Sequence, residues 1–404
     1  MTRDLRTARS RAILTFVLAG LMCGTFTVRI PALTDKLGLS EASVGVVLLS
    51  WGLGALVTMQ SMRGVMARAG SRSVLRVGAP LCAASLLGVA FAPSFPWMVV
   101  AAGLFGMFFG AVDVAMNAQG SAVERAYGRP LMNGMHAGWC VGAMSAGLLG
   151  TVAISAGVSF TANLAAVALV SAPGAYLLSR GFLPDPVSTE TGSGETRRRM
   201  PPVVYLLGAI AFGAFMVEGA VADWNGLFLR DTIGAPEAVA ALGYPIFEAG
   251  MLVSRLTGDR LRTGFGARRL IIAAGLATAA AFALVITTSS PVVAVGGMIL
   301  IGLAVATVSP MAISLAGTAT GNPGPAIAQT GAMGYAGLLL GPVVIGFISH
   351  AATLRVALGV AVVLGVLIAV AARFLPRSET RTETRTDGAE IHELADREPL
   401  KLAA

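Results

Sequence analysis

Four polar side chains interrupt the fourth apolar stretch and the start of the fifth. Asp113, Asn117 and Glu124 stand at i, i+4 and i+11 within Gly106–Arg129, and His136 follows seven residues after Arg129. On an α-helix the first three share one face. A carboxylate facing hydrocarbon costs several kcal/mol, so Asp113 must face protein or water, and an intramembrane acid is by default a functional site. Its chemistry would be the uptake and release of a proton. A buried structural Asp bonded to a neighbouring helix is the alternative. His136 titrates near neutral pH when unperturbed and is a second candidate proton carrier, against a satisfied structural histidine.

A second set lies in the seventh and eighth apolar stretches. Glu218 is about 22 Å along from Val203 at 1.5 Å per residue, near the middle of a membrane span. Asn225 shares its face, while Asp223 points about 140° away at 100° per residue, so the two acids should do different work. Glu248, with Tyr244 one turn before it, suits a hydroxylated or cationic solute, or else a packing contact. Trp139, Trp224 and Tyr335 could stack a ring, as could Trp51. The candidate solute ligands are thus Asn117, Glu218, Asn225, Trp139, Trp224, Tyr244, Glu248 and Tyr335. The candidate proton carriers are Asp113, Glu218 and His136. No metal site or cofactor is expected.

The elements that position these residues follow from composition. Of 404 residues, 55% are hydrophobic and 12% charged, about half the charged share of a soluble domain. Long unbroken apolar runs indicate spanning helices of about 20 residues rather than the alternating strands of a barrel. Fifty glycines suit close helix packing in lipid. The net charge of +8 is spread over short loops, not gathered in the patch a nucleic acid needs. Cys23, Cys82 and Cys140 have no metal or disulfide spacing. Neither a nucleotide-binding loop nor a hydrolase motif is present, so an ion gradient is the expected energy source, protons first and sodium second.

Hydropathy places spans at 12–33, 42–66, 74–92, 96–124, 131–154, 160–180, 203–230, 237–257, 269–288, 291–318, 325–349 and 354–375. Residues 1–180 form one six-helix set and 203–375 the other. A polar linker, 181–202, joins them, and a polar tail, 376–404, reads as disordered. Arginines crowd the ends bearing Arg63, Arg68, Arg125, Arg180, Arg255 and Arg268, while the other loops hold Arg29, Lys36, Arg230 and Arg355. This bias puts both termini in the cytoplasm. The opening MTRDLRTARSRAILTF lacks a cleavage site followed by a polar mature chain, so it reads as the first span and not a signal peptide.

The two sets repeat each other. Gly64–Arg76 (GVMARAGSRSVLR) and Gly258–Leu270 (GDRLRTGFGARRL) are similar at an offset of 194. With two further residues allowed in the second loop, Ala137-Gly138-Trp139 meets Met333-Gly334-Tyr335. Homologous halves of this kind hold a solute between them near the midplane and rock about it.

At these loops, with twelve spans divided six and six, the chain resembles the major facilitator superfamily from about residue 11 to 375. VRIPAL (Val28–Leu33), DVAMNAQGSAVERAYGRPLMNGMHAG (Asp113–Gly138) and EGAVADWNGLFLRD (Glu218–Asp231) are similar to a bacterial inner-membrane branch near the fucose–proton symporters. Two departures stand out. The first loop has no acid near Arg68, although Asp259 supplies one in the second. The proline of many drug antiporters is missing from the fifth span, and Gly341-Pro342 in the eleventh resembles it instead.

The resemblance implies an all-α, twelve-helix transporter in a bacterial inner membrane, a monomer moving a small, sugar-like solute by proton symport. Proton-linked export of a drug or metabolite and a non-transporting membrane sensor are the alternatives. It also implies gates. Arg63, Glu124, Arg255 and Asp259 would latch the cytoplasmic ends. At the offset of 194, Arg29 corresponds to Asp223, and in the resembled fold their helices face each other, so the two would pair at the outer ends.

Overall fold

The computed structural model describes residues 3–128, 131–184, 200–319 and 323–376. Among them, twelve helices are long and apolar enough to span a membrane. They are α1 (Asp4–Val28), α2 (Glu41–Met62), α3 (Arg68–Phe91), α4 (Phe95–Tyr127), α5 (Gly134–Ser155), α6 (Phe160–Ser179), α7 (Pro202–Thr232), α8 (Glu237–Gly258), α9 (Ala267–Thr287), α10 (Pro291–Thr318), α11 (Gln329–Ala351) and α12 (Leu354–Ala372). Each falls on a span expected from hydropathy. Most of the expected linker (185–199) and tail (377–404), with Arg129, lies outside the described residues.

The first span ends earlier than expected. α1 stops at Val28, Arg29 breaks the helical geometry, and a separate helix runs over Ile30–Leu37. Pro31 explains the break, because it has no N–H to give the Thr27 carbonyl four residues earlier and its ring clashes with that carbonyl. α10 is interrupted in the same way: Ala306 and Thr307 fall outside its two helical pieces, Pro291–Val305 and Val308–Thr318. The ring of Pro310 would clash with the carbonyl four residues earlier.

α1–α6 pack around one apolar core that includes Phe16, Phe26, Leu75 and Phe105. α7–α12 pack around a second that includes Phe228, Phe247 and Phe282, and it reaches Val44, Leu48 and Ala143 of the first half. Large apolar side chains such as Val57, Val152, Val170 and Val292 stand exposed on the perimeter, where lipid is their natural solvent. Lipid is as apolar as leucine, so helix association here depends on close approach at small residues.

Those approaches reveal the register of the repeat. A Cβ on Gly106 would overlap the Trp51 carbonyl, and a Cβ on Gly302 would overlap that of Phe247. Gly54 meets the carbonyl of Gly103 in the same manner, and Gly250 that of Ile299. Gly70, near the start of α3, and Gly266, just before α9, have left-handed φ angles of 73° and 76°. Every one of these pairs is 196 positions apart. The halves are therefore pseudo-symmetric with an offset of 196, not 194, and the glycine equivalent to Gly70 is Gly266 rather than Gly264.

Candidate functional site

The arginine-rich ends of the helices lie on one side of the molecule. At the opposite end the halves are clamped together. α7 closes in a π-helical turn, Phe228–Thr232, a geometry that often re-aims side chains at functional positions. It sends Arg230 across the interface. The guanidinium donates to the Pro31 carbonyl (2.9 Å), to Asp35 Oδ2 (2.7 Å) and to Thr34 Oγ1 (3.1 Å) of the short helix after α1. Nearby, Gly45 of α2 lies against Pro342 and Gly346 of α11.

Between the clamp and the arginine-rich end sits a cavity of about 190 Å³. Its walls come from both halves. Trp51, Phe109 and Trp139 line one side, and Tyr244, Tyr335 and Leu338 the other. Thr27 of α1 and Asp223 of α7 also line it, and they are equivalent positions at the offset of 196. Trp139 and Tyr335 are another equivalent pair. Asp223 is the one charged side chain in the lining. It is 9% exposed and makes no hydrogen bond or ion pair among the described residues.

Two polar networks flank the cavity. In the first, Tyr335 donates its hydroxyl to Asp113 Oδ2 across the halves at 3.1 Å, with its ring stacked on Phe215. Asn117 Nδ2 donates to the Asp113 carbonyl and to Oδ1, at 2.9 and 3.3 Å. In the second, Ser309 donates to Glu218 Oε1 at 3.1 Å from just beyond the break in α10. Arg255 Nη2 lies 3.7 Å from Glu218 Oε2, and its Nη1 donates to Cys140 Sγ at 3.2 Å. Glu248 is buried beside Arg255, Cys140 and Tyr244, and its Oε2 has no partner among the described residues.

The sequence pattern of the Major Facilitator Superfamily matches residues 12–329 and 210–402. The chain belongs to the Major Facilitator Superfamily. An uncharacterised transporter of Sinorhizobium fredii, y4wD, is 34% identical over 347 residues, which is 84% of this chain and 90% of that protein. An uncharacterised MFS-type transporter of Yersinia pestis is 33% identical over 359 residues, 86% of this chain and 90% of its own. Membrane protein MosC of Rhizobium meliloti is 28% identical over 349 residues, 85% and 84% of the two chains. Among solved structures, the nucleoside transporter NupG superposes with a TM-score of 0.70 at 18% identity, over 92% of this chain and 98% of that one. A D-xylose–proton symporter gives 0.73 at 17% identity, over 93% and 99%. The chain is thus a multi-pass membrane protein with the fold of this superfamily.

Within this MFS fold, the residues expected at the site divide sharply. Trp139, Tyr244 and Tyr335 line the cavity. Asn117 instead turns back onto Asp113. Asn225 donates to the Val221 carbonyl of its own helix at 2.6 Å. Trp224 is fully buried in helix packing, with Gly346 of α11 close by. Glu218 and Glu248 sit in the Arg255 network. His136 is exposed, its ring edge-on to Phe16 at 5.1 Å, and it makes no hydrogen bond among the described residues.

The expected gates assemble differently. Arg29 does not pair with Asp223: it donates to the Val158 carbonyl at 3.0 Å. At the corrected offset Thr27 takes the place facing Asp223, and two residues along a helix is a turn of about 200°. Nor does Arg255 latch to Glu124, because it is drawn inward by Glu218. Glu124 accepts instead from the Leu131 N–H at 2.6 Å, holding the turn between α4 and α5. The side chains of Arg63 and Asp259, the other two members of that latch, lie outside the described residues.

The cavity walls include Thr27 and Phe109, which sequence reasoning passed over. The signal was present for Thr27, which lies 196 positions before Asp223. For Phe109 there was none, since one phenylalanine among many apolar neighbours carries no mark of facing a cavity.

Proposed function

We propose that this chain is a secondary active transporter that moves a small, ring-bearing organic solute by alternating access, coupled to protons, in a bacterial inner membrane. The observation that carries the reading is the Asp113–Tyr335 hydrogen bond. It ties an intramembrane carboxylate of one half to a cavity-lining ring of the other. Protonating Asp113 removes the charge that makes this bond strong, so proton binding and the fit of the two halves are linked. Glu218 offers a second carboxylate whose partners, Ser309 and Arg255, span α10 and α8.

On this reading both termini, the 181–202 linker and the arginine-rich ends are cytoplasmic, each six-helix half is one rocking body, and the Arg230 clamp closes the outer side. The protein acts as a monomer, and it is not an enzyme. Among the fold neighbours, one is titled a nucleoside transporter and another a D-xylose–proton symporter. A sugar or nucleoside is therefore one reading of the solute, and the aromatic walls suit its ring.

The test uses purified protein in liposomes with an imposed pH gradient and a panel of xylose, uridine, amino acids and small amines. One solute should accumulate against its gradient with proton movement. Asp113→Asn should abolish accumulation yet keep exchange of that solute between the two sides. Unchanged pH-driven accumulation by the variant refutes the coupling.

A further inference from the structure

The cavity just described has a composition that narrows its occupant. Five aromatic side chains line it: Trp51, Phe109, Trp139, Tyr244 and Tyr335. The rings adjoin one another, with Phe109 and Trp139 edge-on at 5.8 Å and Trp51 and Phe109 at 6.3 Å. The rest of the wall is apolar apart from Cys23, Thr27 and Asp223. No amide, lysine, arginine or histidine belongs to the lining.

A sugar or polyol brings a hydroxyl on nearly every carbon, and each one buried without a partner costs about 1–3 kcal/mol. This wall offers too few partners. The Tyr335 hydroxyl is already given to Asp113. A site that binds a polyol would place amides and carboxylates around the ring, and here those groups turn elsewhere. Asn117 bonds within α4, Asn225 within α7, and Glu218 and Glu248 face Arg255.

Asp223 is the exception. It is more than nine-tenths buried, it lines the cavity, and no cation or donor among the described residues meets it. Arg29, the cation expected to meet it, is turned to the Val158 carbonyl. An ionised carboxylate buried this way among aromatic side chains is costly unless a counter-charge arrives. The aromatic faces supply the other half of the recognition, because the ring quadrupole attracts a positive charge held within about 6 Å, more so when water is excluded.

We infer that the solute is a small organic monocation, an ammonium group borne on a compact, weakly hydroxylated ring, whose charge is received by Asp223 and whose ring is held among the aromatic walls. The inference rests on the transport reading only in taking this cavity as the solute site. The cavity, about 190 Å³, has room for one ring with a short arm.

The experiment measures binding at equilibrium, which needs no coupling. Phenethylamine, a cation at neutral pH, is titrated into purified protein while tryptophan fluorescence and thermal unfolding are followed. 2-Phenylethanol serves as its neutral isostere, and xylose and uridine as polyhydroxylated controls. Phenethylamine should bind at least tenfold more tightly than 2-phenylethanol. Asp223→Asn should abolish that preference, and Asp223→Glu should restore part of it. Equal binding of amine and alcohol by the unmodified protein overturns the inference, as does an amine affinity untouched by Asp223→Asn. Binding of xylose or uridine in preference to the amine also overturns it, while leaving the transport reading intact. Should Asp223→Asn fail to fold, the amine-to-alcohol comparison in the unmodified protein decides the matter alone.

Discussion

Replacing Arg230 with Ala should release the outer clamp. The side chain is 18% exposed and reaches three acceptors in the other half. Hydrogen bonds from a charged donor contribute about 1.5–3 kcal/mol each when shielded. Asp35 is 65% exposed, so its ion pair adds at most about 1 kcal/mol. Pro31 and Thr34 are better shielded, but their bonds are exchanged in part for water when the clamp opens. A net loss of about 2–3 kcal/mol follows, which displaces the equilibrium between clamped and open forms by roughly 30- to 150-fold. The bond to Asp231 lies within α7 and does not enter, because it joins no two moving parts. Spin labels at Ala156 and Ser289, exposed positions in the α5–α6 and α9–α10 connections of opposite halves, report the opening as a longer distance. Arg230→Ala should enlarge the long-distance population, and Arg230→Lys, which keeps the charge but loses the fork, should do so less. An unchanged distance distribution for Arg230→Ala would refute the idea that these bonds hold the halves together.

Three further outcomes are expected. Gly302→Val should lower folded yield in membranes sharply, and Gly106→Val likewise, because each forces a side chain into a carbonyl of the neighbouring helix; size-exclusion profiles of detergent extracts check this, and a normal profile would contradict the packing account. Tyr335→Phe deletes the one hydrogen bond among the described residues from the second half to Asp113, so solute-driven proton uptake should shift its pH dependence, measured with a pH-sensitive dye in liposomes; an unaltered profile would separate Tyr335 from coupling. The charge swap Arg29→Asp with Asp223→Arg should not rescue the single variants in transport or binding, since Arg29 is bonded to the Val158 carbonyl while Asp223 faces the cavity, and recovery by the double variant would reinstate their pairing.

Much of this architecture was legible from the amino-acid order. Twelve spans, the crowding of arginines at one set of ends and the presence of a two-fold repeat all follow from local hydropathy and charge, which a lipid environment makes decisive. The intramembrane acids were visible for the same reason, as a carboxylate among leucines needs an explanation wherever it falls. What tertiary packing alone decided was rotation. An error of two residues in the repeat offset turns a helix by about 200°, and this separates Thr27, which faces Asp223 across the cavity, from Arg29, which faces Val158. The same holds for Arg255, taken from its position as a surface latch and found drawn inward to Glu218, and for Glu124, found bonded to the Leu131 N–H in the turn before the next helix. Only glycine contacts between helices, such as Gly106 with Trp51 and Gly302 with Phe247, set that rotation. Hydropathy carries no trace of it, because both faces of a helix inside a bundle in lipid are apolar.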